Sequence, residues 1–192
     1  HAATRLDEGL DAAIVLARNV DPALYTRRLG TERVVAIGAK ALAEGPRAPA
    51  PPRDLEAATV LIHRDLPDAF AYWREAVGLP ELEPAAIDMF DSGQLILNAA
   101  AEGLGVAFMF EMHLEGAHDP RLVRLFDVAI ESPYHYWFAC RRSALNRRPV
   151  RIFHDWLMGE LVKSRAARPA IAPRVGASGR AARRASIAPP SC

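Results

Sequence analysis

The sequence predicts an α/β protein, and three observations indicate this class. Short apolar runs of strand length recur along the chain, as in "LDAAIVLA" and "GVAFMF". Segments with helical periodicity lie between them, as in "DAFAYWREAV", and glycine or proline separates many of the segments. Strands that alternate with helices are typical of largely parallel sheets covered by helices, so that arrangement is expected here.

The first part of the chain predicts strands joined by loops and a short helix. Residues 10–17 form an apolar run bounded by polar residues, which is typical of a buried strand. "ARNVDPALYTRRLG" predicts a loop that leads into a second strand, and "ERVVAIGAKALA" predicts a strand followed by a short helix. Residues 44–58 are rich in proline and predict a surface connection.

The segment "TVLIHRDLPDAFAYWREAVGLP" predicts a strand, a turn and a helix. Asp65 is a candidate N-cap residue because its carboxylate can accept hydrogen bonds from the free amides of the first turn. Phe70, Trp73 and Val77 share one helical face, and Phe70 and Trp73 are expected in the core. Gly78 predicts the end of the helix, since glycine readily adopts a left-handed conformation.

The stretch "FDSGQLILNAAAEGLGVAFMF", which follows the strand candidate "AAIDMF", predicts a helix and then a buried strand. Asp91 and Gln94 have the spacing of a capping box. The helix is expected to continue over residues 95–102, with Gly103 just beyond its end. "GVAFMF" is then the strand.

The C-terminal part predicts two strands, "RLVRLF" and "YHYWFAC", and a long amphipathic helix, "RRPVRIFHDWLMGELVKS". Val150, Phe153 and Leu157 recur at helical spacing, as do Ile152 and Trp156. Both Phe153 and Trp156 are therefore predicted to be core residues.

The last 28 residues, 165–192, differ in composition from the rest of the chain. They hold six arginines and no acidic residue, among many alanines and prolines, and they show no apolar period. Such a segment buries too little apolar surface to offset its ordering entropy, so a disordered tail is predicted. Without these arginines, acidic residues outnumber basic ones, which argues against a nucleic-acid-binding surface on the folded part.

Cysteine usage and hydropathy predict a reduced, cytoplasmic setting. Cys140 and Cys192 do not form a disulfide framework, and no apolar run is long enough to cross a bilayer. The first residues lack the layout of a secretory signal, and they also lack a methionine. The chain is therefore expected to begin inside a longer protein.

The sequence shows no catalytic or metal-binding constellation. Ser92 is not in a nucleophile elbow, because Phe90 occupies the position of the first glycine. His113 and His118 do not have the spacing of zinc ligands on a helix. The predicted protein is not an enzyme and requires neither a metal nor a cofactor.

The polar "DSG" at Asp91, Ser92 and Gly93 has two interpretations. In one, Asp91 simply caps the helix. In the other, the free amides and the positive end of the helix dipole bind an acceptor group of a small molecule. Capping is the simpler interpretation on physical grounds alone.

Two motifs and the order of the segments are shared with a known family. "LIHRDLPDAFAYWREAVGL" matches the family pattern "LLH…W…WL…AG", and "FDSGQLILNAAAEGLGVAFM" matches "F-D-S…A…G-x-G-V-A". Over residues 4–162, the sequence resembles the effector-binding domain of LysR-type transcriptional regulators, in the branch of glycine-cleavage activators and β-lactamase regulators. The matching residues are Leu61, Ile62, His63, Trp73, Gly78, Phe90, Asp91, Ser92, Gly103, Gly105, Val106 and Ala107.

The resemblance implies a periplasmic-binding-protein-like fold, with two α/β lobes joined by two crossing strands. Lobe I would comprise residues 1–30 and 128–164, and lobe II residues 31–127. The crossings are expected near Leu29–Val34 and Leu125–Ala129. The N-terminal winged helix-turn-helix of the family and the first strand–helix–strand of lobe I have no counterpart in this sequence, so lobe I is expected to be truncated.

The resemblance also implies the function. The chain would bind a small effector in the cleft between the lobes, with an acidic molecule as one candidate. It would pass a conformational change to the winged domain, which binds promoter DNA. A homodimer or tetramer is expected, without membrane association. The alternative is a solute-binding protein of a transport system, which shares this fold.

The cleft residues are expected at the carboxyl ends of strands. Arg18 and Arg64 could pair with an acidic effector, and the alternative is that they are solvated loop charges. The alternative for His63 is a core histidine that hydrogen-bonds to backbone. The complete set of expected effector-binding residues is Leu16, Ala17, Arg18, His63, Arg64, Asp91, Ser92, Gly93, Ala107 and Met109.

Overall fold

The computed structural model describes Leu6, residues 9–44 and residues 52–167. The strands are β1 Ala12–Ala17, β2 Tyr25–Arg28, β3 Arg33–Ala39, β4 Thr59–His63, β5 Ala86–Phe90, β6 Val106–Phe110, β7 Leu122–Glu131 and β8 His135–Cys140. The α-helices are α1 Lys40–Glu44, α2 Ala69–Ala76, α3 Gly93–Ala101, α4 Glu111–Ala117 and α5 Arg148–Ala167, with 3-10 helices at Pro52–Ala57 and Arg142–Asn146.

The eight strands form two sheets. One sheet has three strands in the order β1-β8-β2, and the other has five in the order β5-β4-β6-β3-β7. The α/β class is confirmed, but the prediction of largely parallel sheets is wrong for the described strands. Only β4 pairs in parallel, with β5 and β6, while the other pairings are antiparallel.

The three-stranded half consists of this smaller sheet and α5. Phe138 and Cys140 of β8 are fully buried, and Val150, Leu157 and Leu161 of α5 pack with them. These α5 residues share one helical face because they are separated by seven and four positions. Burial raises the pKa of the Cys140 thiol, which is consistent with an inert core cysteine.

The five-stranded half has an apolar layer on each face of its sheet. On one face, Phe108 of β6 contacts Phe70 and Trp73 of α2, with ring centroids 5.0 and 5.1 Å apart. On the other face, Ile96 of α3 packs with Met109 in a second buried cluster. The predicted core positions of Phe70 and Trp73 are confirmed, since both side chains are at most 3% exposed.

The two halves are joined by neighbouring chain crossings. The chain leaves the smaller sheet after Arg28 and enters the larger one at Arg33, then returns between Glu131 and His135. Arg33 pairs with Glu131, and the Ser132 amide donates to the Glu32 carbonyl at 2.8 Å. The crossings therefore lie side by side in one hydrogen-bonded ladder. The predicted second crossing, Leu125–Ala129, lies inside β7.

Two predicted helix caps are wrong. Helix α2 begins after Asp68, three residues later than Asp65 implied, and its N-cap side chain makes no capping hydrogen bond. Helix α3 is capped by Ser92, whose hydroxyl accepts a hydrogen bond from the Leu95 amide at 3.5 Å, and not by Asp91. Serine and aspartate are equally good N-caps, so the sequence pattern could not choose between adjacent candidates.

The prediction that Phe153 and Trp156 are core residues is also wrong. Phe153 is 38% exposed and Trp156 is 58% exposed, and their rings stack on each other with centroids 6.0 Å apart. The face of Val150 and Leu157 packs most deeply on the sheet, while Phe153 reaches Phe138 only from the border of that face, with ring centroids 6.1 Å apart. Periodicity alone does not tell which of two apolar faces is covered.

Two further predictions concern segments at the limits of the described residues. In the proline-rich connection, residues 45–51 lie outside the described residues, and the part that is described contains Leu55, which is fully buried. The predicted disordered tail begins at residue 165, whereas α5 continues to Ala167. Residues 168–192 lie outside the described part. None of the described helices has the length and apolarity needed to cross a bilayer.

Candidate functional site

The structure places the end of β1 against the five-stranded half. Leu16 packs against the apolar core of that half, although it belongs to the smaller sheet. The Ala17 carbonyl accepts a hydrogen bond from the indole N–H of Trp137 at 3.0 Å, which fixes the backbone at the strand end. Arg18 follows directly. Of the predicted residues at this strand end, Arg18 has the most exposed functional group.

Arg18 forms an ion pair across the gap between the halves. Its Nη2 lies 2.5 Å from Asp68 Oδ2, at the start of α2. Its guanidinium carbon lies 5.1 Å from the ring centroid of Tyr72 and 4.9 Å from that of Tyr134, which is within cation–π range. The Tyr134 hydroxyl donates to the same Asp68 carboxylate at 3.3 Å. Arg18 is thus a partly exposed loop charge that is paired within the protein, and its role in effector binding stays a prediction.

Tyr134 is a hydrogen-bond donor at neutral pH. Burial raises the pKa of its hydroxyl, while the adjacent Arg18 guanidinium opposes this increase. The neutral phenol therefore retains the proton that it donates to Asp68.

The ends of β4 and β5 lie next to each other at the same edge of the larger sheet. His63 pairs with Phe90, and the Arg64 amide donates to the Phe90 carbonyl at 2.8 Å. This parallel pairing brings Arg64 close to Asp91, and both residues are exposed. His63 Nδ1 accepts a hydrogen bond from the Asp65 amide at 3.1 Å, which is the backbone partner that the alternative interpretation of His63 expects.

The start of α3 is accessible. Asp91 is exposed, and Ser92 and Gly93 are half-buried. A Cβ atom on Gly93 would lie 3.1 Å from Met109 Cε, so the methionine packs directly beneath this turn. Met109 is 1% exposed and Ala107 is fully buried. These two side chains therefore support the site from inside the sheet and present no surface to a ligand in this structure.

Sequence reasoning missed several residues that contact Arg18 or that lie where the two halves meet. Asp68 and Tyr72 lie at the start of α2 and within it, whereas Tyr134 lies between β7 and β8, and no local motif connects these places with Arg18. Tyr136 of β8 was also missed, and its ring lies 6.0 Å from Phe110 of the larger sheet. His113, which sequence reasoning considered only as a metal ligand, stacks on Phe110 with centroids 5.8 Å apart.

The His113 side chain is held in an environment that disfavours its charged form. Burial lowers the pKa of the imidazole most, the polar backbone of Phe110 raises it, and the nearby His63 lowers it. Its Nδ1 is buried and has no hydrogen-bond partner among the described residues. His135 also has a lowered pKa, caused by burial and by Arg28.

These lowered pKa values predict that the protein loses stability on acidification. Between about pH 7.5 and pH 5.5 the unfolded chain takes up more protons on these histidines than the native chain, so the free energy of unfolding falls as the pH falls. His113→Phe removes one of these groups and should make the dependence shallower. Urea unfolding at several pH values measures it, with exposed His118→Gln as the control. An equal slope in His113→Phe and the parent would contradict the prediction.

A metal centre is not formed by the described residues. In Leu6 and residues 9–44 and 52–167, no group of three or more His, Cys, Asp or Glu side chains is arranged to hold a metal ion. The group around Arg18 offers instead a cation, a hydroxyl group and aromatic rings, which are features that recognise organic molecules.

Comparison with known proteins decides the family. The family model for the LysR substrate-binding domain matches residues 1–161. The chain belongs to this LysR family. This confirms the resemblance inferred from the two motifs. No curated protein sequence matches the chain significantly.

Solved LysR effector domains share the fold. The effector domain of the transcriptional regulator AmpR of Pseudomonas aeruginosa is 24% identical, with a TM-score of 0.69, and the match covers 83% of this chain and 76% of that one. The AmpR effector-binding domain from Citrobacter freundii is 26% identical, with a TM-score of 0.69 and coverages of 82% and 77%. The CrgA regulatory domain from Neisseria meningitidis is 18% identical, with a TM-score of 0.64 and coverages of 81% and 78%.

These matches establish the coarse function of the LysR chain. It is the effector-sensing domain of a LysR-type transcriptional regulator and has the periplasmic-binding-protein-like fold. The alternative of a transport-associated solute-binding protein is not favoured. The division into lobes at residues 1–30, 31–127 and 128–164, and the ten effector-binding residues, stay predictions.

Proposed function

We propose that this LysR domain binds a small acidic metabolite in the gap between its two halves. The observation that carries the proposal is the position of Arg18. It directly follows β1 of the smaller sheet but contacts Asp68 and Tyr72 of the five-stranded half. A ligand bound to the Arg18 guanidinium at this place would touch both halves, as an effector must do to change their relative position.

The start of α3 supplies the second part of the proposed site. This helix has nine residues, and its first amides and dipole favour a negatively charged or acceptor group. The hydrogen bond from the Leu95 amide to the Ser92 hydroxyl is long, at 3.5 Å, and a ligand oxygen could replace it. Arg64, exposed at the end of β4, adds a positive charge beside this turn.

The proposed mechanism is a shift between two positions of the halves. A ligand shifts such an equilibrium only by its difference in affinity for the two states, and typical coupling is about 1–3 kcal/mol. The change would pass through a homodimer or tetramer to the winged helix-turn-helix domain of the full-length regulator, and so to promoter DNA in the cytoplasm. A regulator without enzymatic activity is proposed, in keeping with the LysR family model.

Ser92→Trp tests the assignment of the site. The indole would cover the start of α3 and should abolish the rise in melting temperature that a bound effector causes by mass action. The measurement is a thermal-shift screen of mono- and dicarboxylate metabolites, followed by DNA binding of the full-length regulator. DNA binding should survive the substitution.

Asn98→Trp is the matched control for this test, because it places the same side chain on an exposed position of the same helix. This control should retain the response to any metabolite that the parent binds. A Ser92→Trp variant that folds and still responds like the parent would show that the site lies elsewhere.

A further inference from the structure

Asp68 stands at an N-cap position but does not cap. Aspartate is favoured there because its carboxylate accepts hydrogen bonds from the free amides of the first turn. In this structure the Asp68 side chain makes no such bond. Its Oδ2 lies 2.5 Å from Arg18 Nη2 and 3.3 Å from the Tyr134 hydroxyl, both outside α2. The carboxylate has turned away from its own helix toward the other half.

The groups around the Asp68 carboxylate would suit any carboxylate of similar size. The Arg18 guanidinium supplies the positive charge and a planar set of donors, and Tyr134 supplies a neutral hydroxyl donor. The rings of Tyr72 and Tyr134 lie about equally far from the guanidinium, at 5.1 and 4.9 Å, and restrict its position. These features define a carboxylate seat that Asp68 now fills.

The seat is within reach of dissolved molecules. The Arg18 side chain is 41% exposed and that of Asp68 is 48% exposed. The pair meets through a single nitrogen and a single oxygen, and an exposed pair of this kind is a weak contact. The amides of α2 also give the displaced carboxylate another place to bind, because Asp68 is already at the N-cap. Exchange of one carboxylate for another therefore leaves no buried charge unpaired.

We propose that Asp68 is an internal competitor for the carboxylate group of the effector. While it occupies the seat it holds the two halves together, and the effector displaces it by placing its own carboxylate on Arg18. The inference rests on the proposed function and narrows it. The ligand class is an organic carboxylate, and Asp68 sets the affinity by lowering the fraction of domains whose seat is free.

Asp68→Asn tests the competition. Asparagine keeps the shape and the capping ability of aspartate but removes the charge that binds Arg18. The probe is glutarate, with glutaramide as its uncharged analogue, at constant ionic strength. Titration of the whole 192-residue chain is followed through the NMR amide shifts of Arg18, Tyr72 and Tyr134. Asp68→Asn should bind glutarate about three- to tenfold more tightly than the parent, as expected if the free seat is a minor state.

Two further variants make the result specific. Glu81→Gln, an exposed acidic residue on the same half, removes the same charge and should leave the affinity unchanged. The double variant Asp68→Asn with Arg18→Gln should lose the gain, and glutaramide should not bind to any variant. Circular dichroism of each variant checks that its helices are intact.

The outcomes separate this inference from the proposed function. If Asp68→Asn binds glutarate no more tightly than the parent, or if Glu81→Gln gains as much, Asp68 is not a competitor. Suppose that an effector loses its binding in Ser92→Trp but binds Asp68→Asn and the parent with equal affinity. This result would overturn the proposal that Asp68 competes with the effector and would leave the proposed function intact. Conversely, Asp68→Asn could bind glutarate more tightly while Ser92→Trp leaves every metabolite response unchanged. This result would overturn the site assignment at the start of α3 and would support the competition by Asp68.

Discussion

Phe108→Ala is expected to lower the free energy of unfolding by about 3–5 kcal/mol, the cost typical of deleting a buried aromatic side chain. Phe108 is fully buried in the middle of the larger sheet. Its ring meets the rings of Phe70 and Trp73 at 61° and 62°, an edge-to-face arrangement that adds to the stabilisation from burial. Removing the ring leaves a cavity under α2, the helix whose first turn presents Asp68 to Arg18.

Urea unfolding of the purified chain, monitored by circular dichroism, measures this loss. Phe108→Leu fills most of the volume and should cost only about 1 kcal/mol. Leu104→Ala is the surface control, since Leu104 is 66% exposed and its truncation should change stability by less than about 0.5 kcal/mol. A loss from Phe108→Ala as small as that from Leu104→Ala would mean that the aromatic cluster does not form in solution.

Gly105→Ala is the second substitution with a large expected effect. A Cβ atom at this position would lie 2.5 Å from the Thr59 carbonyl oxygen and 2.9 Å from Leu61 Cδ2. Because the nearest atom is a backbone carbonyl oxygen, the chain at the start of β6 could accept the methyl group only by moving away from β4. Overpacking of this kind costs about 1–3 kcal/mol, and the upper end is expected because a rotamer change cannot relieve the contact.

The same unfolding measurement tests Gly105→Ala against Gly116→Ala. Gly116 lies in α4, and a Cβ atom there would meet no heavy atom within 4 Å. Alanine is the better helix former, so Gly116→Ala should leave stability unchanged or raise it by up to about 1 kcal/mol. Equal effects of the two substitutions would show that β4 and β6 do not approach as closely as the structure has them.

Most elements of the larger sheet were predictable because their signals are local. The run "GVAFMF" predicted β6, and all five of its residues are buried. Gly78 and Gly103 predicted helix ends, and both have the left-handed backbone that this requires, with φ of 74° and 76°. Strand direction was not predictable in this way. Whether β3 runs parallel or antiparallel to β6 depends on the long path that the chain takes between these two strands, which no local pattern records.

The candidate site was predictable only in part, for a related reason. Ser92 and Gly93 were found because the helix start carries its own local signature. Arg18 was found because it ends a strand, but its partner could not be identified. Asp68 is fifty positions further along the chain and Tyr134 is further still, so their meeting depends on how the halves pack. Asp68 had a satisfactory local interpretation as a helix residue, and its actual contact requires tertiary structure.

The paired crossings limit how this sensor can work. Since the strands that join the halves are hydrogen-bonded to each other, as in the pairing of Arg33 with Glu131, they must bend together. Any rotation of one half relative to the other would then be a hinge motion about a single axis, described by one angle. In the proposed mechanism, a small molecule anywhere along the opening would change this one angle. Chemically different ligands would then produce the same signal and differ only in how far they change the angle.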